Sequence, residues 1–178
     1  FENTVAPVVG GNANLLTVTS AAGKTIGTDN AHRFTELRFD GAGDVLLDDK
    51  ITPFALLIHQ AGTGKATITN AEDATVLLGD ITFGAAGKLE FLGAVTRAAA
   101  HVTAGGELIL RANSNIAATA VTSGKLTADT AELTGNLLVD ANTLAVGGSS
   151  ASVKKITGAV DVQRGGVLSV VEDVVGAI

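Results

Sequence analysis

Cysteine, methionine, tryptophan and tyrosine do not occur in this chain of 178 residues, and proline occurs only twice. Without cysteine there is no disulfide scaffold, no thiolate metal site and no thiol nucleophile. Six phenylalanines are the whole aromatic complement, too few to anchor a thick globular core or to build platforms on which sugars stack. No apolar run approaches the about eighteen residues needed to cross a bilayer as a helix, because the most apolar stretch is broken by Glu172 and Asp173. Basic clusters interleaved with aromatics are missing too, and the net charge of −6 repels phosphate backbones, which excludes nucleic acid as the expected partner.

What is abundant is glycine, with 22 residues, in a chain that is 46% hydrophobic, far too apolar for disorder. The glycines head a recurring phrase: glycine, variable, apolar, variable, apolar. It starts at Gly23, Gly43, Gly64, Gly87, Gly106, Gly124, Asn142 (in place of glycine) and Gly166, at intervals of 20, 21, 23, 19, 18, 18 and 24 residues. A second alternating run precedes each start, beginning at Leu15, Leu37, Leu56, Ile81, His101, Ala120, Leu137 and Val160. Each unit therefore reads as strand, corner, strand. Residues 94–97, 115–118 and 132–134 supply a weaker third strand.

Alternation sends every second side chain to one face. Leu89 and Phe91, or Leu108 and Leu110, are expected inside, with Lys88, Glu90, Glu107 and Ser169 facing water. One such unit cannot bury its apolar face alone, whereas stacked units join theirs into one column. The expected fold is all-β: a parallel β-helix, or β-solenoid, of about eight coils of roughly 20 residues. Glycine at the corners is expected to supply positive φ, and an antiparallel sandwich is the rival architecture.

Residues 1–22 read as an off-pattern lead-in and a first partial coil, and residues 23–178 as solenoid repeats. Neither end looks capped, and the chain opens with Phe1 rather than Met. It is therefore expected to be cut from a longer parent in which the coils continue.

Phrases such as ITFGAAGKLEFLGAV (residues 81–95) and LTGNLLVDANTLAVGG (residues 133–148) resemble the passenger regions of autotransporters, especially the large rickettsial outer-membrane surface antigens. The resemblance spans the chain through loose motifs. It implies a right-handed parallel β-helix displayed outside the cell, tethered by a C-terminal outer-membrane barrel, and used for adhesion or as a surface coat. No barrel segment lies within these residues.

Candidate chemistry is sparse. GTGKAT (residues 62–67) has the look of a phosphate-binding loop, but His59 occupies the position of the earlier glycine and Ala66 that of the Ser/Thr metal ligand. A structural corner explains it better. His32, His59 and His101 are far apart and not at matched repeat positions, so no metal site is assigned. Glu36, Asp40, Asp44, Asp48 and Asp49 form an acidic region that could serve a polysaccharide lyase or glycosidase, but Arg38 and Lys50 dilute it and a solvated turn is the better reading. No GxSxG and no N-x-Ser/Thr occurs.

The expectation is therefore a non-enzymatic secreted segment, structural or adhesive, at the bacterial surface, with no catalytic, cofactor-binding or metal residues. Its partners would be a host-cell or matrix receptor, or further copies of itself through the terminal rungs. The alternatives are a self-assembling extracellular filament or surface-layer subunit, and a β-helix enzyme acting on polysaccharide.

Overall fold

The structure, a computed structural model, describes residues 8–10, 15–19, 36–48, 57–69, 75–76, 80–141 and 148–178. Gly23, His32, Asp49 and Asn142 lie outside the described residues. Every regular element that is described is a strand, and every pairing between strands is parallel.

The pairings form three columns. The first runs through Val8–Gly10, Glu36–Asp40, Leu57–Gln60, Ile81–Phe83, residues 99–102, 118–121 and 136–140, and Val160–Gln163. The second runs through Leu15–Thr19, Asp44–Asp48, Lys65–Ile68, Lys88–Phe91, Gly106–Leu110, and residues 124–128, 149–153 and 167–170. The third comprises Thr75–Val76 and residues 95–97, 114–116, 132–134, 155–157 and 173–175. The chain visits the columns in turn and moves down one strand at each circuit: this is a β-solenoid. About six coils are complete on all three sides. The spacing predicted eight, so the count among the described residues is somewhat lower. At about 4.8 Å per strand the stack is roughly 35–40 Å long.

Alternation fills the interior as expected. Ala66, Leu89, Leu108, Leu126 and Ala151 occupy one row of the second column, directly over one another, and all are buried. Ile58, Ile81, Ala100, Thr119, Leu137 and Val160 line the first column in the same way, with Thr119 the one polar member of that buried row. Each leucine or isoleucine held there contributes about 1.5–3 kcal/mol relative to exposure. Gln60 interrupts the row between Phe39 and Phe83, and its Nε2 donates to the carbonyl of Gly64 at 2.8 Å, which pins the first corner from inside.

Three local expectations need correction. Leu15–Thr19 was placed before the corner, but it pairs with Asp44–Asp48 and so belongs after it, in the second column. The seventh repeat start is Ser149 rather than Asn142: Ser149 is the register partner of Gly124, and its hydroxyl donates to the Asp140 carbonyl at 2.8 Å. The third correction concerns the glycines. Gly43, Gly64, Gly87, Gly106, Gly124 and Gly166 do fall in one register row, yet none has positive φ. They are needed because the coils approach closely: a Cβ on Gly64 would overlap the Gly43 carbonyl, and one on Gly124 the Gly106 carbonyl. Positive φ is found just before that row, at Gly41, Gly105 and Gly165 (φ 104°, 75° and 80°), so the corner does use it as expected. It is found again where the third column turns into the first, at Gly135, Gly158 and Gly176 (φ 132°, 148° and 150°), which also stack on one another.

Candidate functional site

On the outside of the second column the register sets charged residues in vertical rows. Asp44, Lys65, Lys88, Glu107 and Lys125 follow one another down five coils, with Thr67, Glu90, Ile109 and Thr127 in the adjacent outward row. The carboxylate of Glu107 bridges Lys88 at 3.0 Å and Lys125 at 3.1 Å, and accepts the Thr127 hydroxyl at 2.8 Å. Glu90 pairs with Lys65 above and with Arg111 below, the latter at 2.8 Å. Glu90 was expected to face water; at 5% exposure it is buried, because those two long side chains fold over it. Burial pushes both carboxyls up, but the bonds and charges of their cations outweigh it, and both end below the ordinary glutamate value of 4.5. Such an arrangement locks coils together; its charges are already satisfied.

The phosphate-loop look-alike is also fully engaged. The amides of Gly62, Thr63 and Gly64 donate to carbonyls of the coil above, from Phe39 and Gly41. The Lys65 amide donates to the Asp44 carboxylate at 2.9 Å. A phosphate cradle needs those N–H groups free, so the corner reading holds here. In the acidic region, Asp40 accepts from the Gly41 amide at 3.0 Å and pairs with Arg38 at 3.5 Å. Asp40 and Asp44 thus tie down a turn. The side chains of Glu36 and Asp48 lie outside what is described.

The histidines behave differently from expectation. His59 and His101 do occupy matched positions: Arg38, His59, Thr82, His101, Ala120, Leu138 and Asp161 form one outward row of the first column. Thr82 separates the two imidazoles, its hydroxyl 2.7 Å from His59 Nδ1. His101 Nε2 lies 3.6 Å from Asp80. Two rungs, about 9.6 Å, are too wide for one metal ion, and among the described residues no group of three or more His, Asp or Glu could hold one.

Lower on the same face the outward side chains shrink. Ala120, between His101 and Leu138, and Ala118, between Ala99 and Asn136, floor a groove of about 300 Å³ that reaches Ala159 and Asp161. Sequence reasoning missed this feature; the one signal for it is the run of small residues at 117–120. It also missed the fork of Arg164 on Asp140, 24 residues away. Arg164 Nε donates to Asp140 Oδ1 at 2.7 Å and Nη2 bonds the other oxygen. The Arg164 bonds hold the Asp140 carboxyl below its ordinary 3.8, against a smaller opposing effect of burial. Arg164 reaches it from a left-handed backbone, φ 46°.

Compared with known proteins, the chain matches no family model, no curated protein and no solved structure. No helix among the described residues is long and apolar enough to cross a membrane.

Proposed function

We infer that this solenoid is a structural and adhesive segment of a secreted or cell-surface bacterial protein, an autotransporter-like passenger with a right-handed coil, engaging a host-cell or matrix receptor. One observation carries the reading: the coils present outward rows in strict register, so one face repeats along a rod and offers a partner an extended surface. The amides of residues 62–65 and the carboxylates of Asp40 and Asp44, which belong to the sequence's two enzymatic openings, are bonded into the corner, which favours a scaffold over a catalyst. The test is binding of the labelled 178-residue chain to cultured mammalian cells and to immobilised matrix proteins. Saturable binding that falls after substitutions on one column, and not on the others, is expected. Absence of saturable binding, or turnover of acidic polysaccharides with or without calcium, would overturn the reading.

A second reading is favoured by the last described coil. Val162, Val167, Val171, Val175 and Ile178 are exposed there, an apolar patch that self-association into filaments or a surface layer would cover. Rods in electron micrographs whose length grows with concentration would select it; a single monomeric species at all concentrations would remove it.

A further inference from the structure

The groove over Ala118 and Ala120 has its own chemistry. Its floor is short-chained and apolar, while the side chains that rise around it are polar or longer: His101, Asn136, Leu138 and Asp161. Asp161 is exposed, and among the described residues Gln163 alone donates to its carboxylate. His101 faces a second carboxylate, Asp80. Asn136 is committed to the Ala159 amide at 3.1 Å, and Arg164, the arginine nearest Asp161 in sequence, is held by Asp140. Around the groove described side chains therefore present two carboxylates and one imidazole. The complement of an apolar trough ending at an uncompensated carboxylate is an aliphatic stem ending in a cation.

The geometry points to a docking site for a lysine or arginine side chain on an extended segment of a partner protein. The stem lies on Ala118 and Ala120, and the cation reaches Asp161. The groove is open rather than enclosed, so one side chain is held weakly and a partner strand laid along the rod gains by presenting several. This deepens the adhesive reading and rests on it for the identity of the partner, though the groove itself can be tested alone.

The experiment is a ¹⁵N-resolved titration of the whole chain with acetyl-Gly-Lys-Gly-amide, alongside the norleucine and glutamate counterparts. The lysine peptide is expected to shift amides of His101, Ala118, Ala120, Leu138 and Asp161, the norleucine peptide to do so more weakly, and the glutamate peptide not at all. Asp161→Asn should weaken the lysine peptide about tenfold, the scale of losing one charged hydrogen-bond partner. Ala120→Phe should fill the trough and abolish the shifts. Should Ala120→Phe fail to fold, Ala118→Val, a smaller filling change, takes its place. Equal response to the glutamate peptide, shifts scattered over other carboxylates, or wild-type binding by Asp161→Asn would overturn the site. Localised lysine binding without any adhesion to cells or matrix would leave the groove standing and sink the surface reading. Adhesion unaffected by Asp161→Asn and Ala120→Phe would do the reverse.

Discussion

At the scale of single residues, two features decide whether coils can stack. The first is the glycine row at the corner, where at Gly64 and Gly124 the closeness of the neighbouring backbone leaves no room for a side chain, although Ser149 occupies the same row one coil on. Gly64→Ala sets a methyl against the Gly43 carbonyl and should cost about 1–3 kcal/mol, the usual range for overpacking. At Gly84 the same change meets the His59 ring at 3.1 Å and the Ala61 backbone at an ordinary 3.6 Å, so it should cost less, about 0.5 kcal/mol. Urea melts of the two variants check the difference. The second feature is the pair of covered carboxylates, Glu90 and Glu107. Both titrate below their ordinary 4.5 in the fold. Their contribution is thus complete above that value and lost as pH falls through the lower folded one. Stability should drop as pH is taken from 7 to 3, and the double variant Glu90→Gln, Glu107→Gln should narrow that drop. An unchanged pH dependence in the variant would show that these carboxyls do not set it.

At the scale of elements, much was legible. Alternation placed Leu89, Phe91, Leu108 and Leu110 inside, and the third strand at residues 132–134 pairs as expected. What sequence could not show was which of two equivalent phrases is paired. Apolar alternation occurs both after Asn142 and after Ser149, and spacing alone selected the wrong one. Nor can spacing reveal that Glu90 is covered, since its cations, Lys65 and Arg111, come from coils on either side. The register also makes a coil a removable unit. Gly106 lies over Gly124, so deleting residues 106–123 joins one circuit to the next in phase. This variant should keep its β circular-dichroism spectrum and a cooperative melt. A deletion of half that length inverts the inward and outward faces on part of the circuit and should not fold.

At the scale of the whole molecule, fold and function were unequally legible. Glycine spacing revealed the rod because each coil repeats the same close approach. The groove left no comparable periodic mark: it arises from what is small at Ala118 and Ala120 beside what is large at His101 and Leu138. It depends on neighbours about twenty residues away in the chain, brought together only by stacking.

Among the described residues each circuit is paired with the one before and the one after, and this has a mechanical outcome. Pulled from its two ends in an optical trap, the protein should give way one circuit at a time, as a thread leaves a spool. Every release would lengthen the tether by about twenty residues, on the order of 70 Å of contour. A single rupture freeing the entire chain would mean that distant circuits share load through something other than their immediate neighbours. An object that yields in such instalments absorbs a tug without losing its far end, a useful trait for anything anchored in a moving fluid.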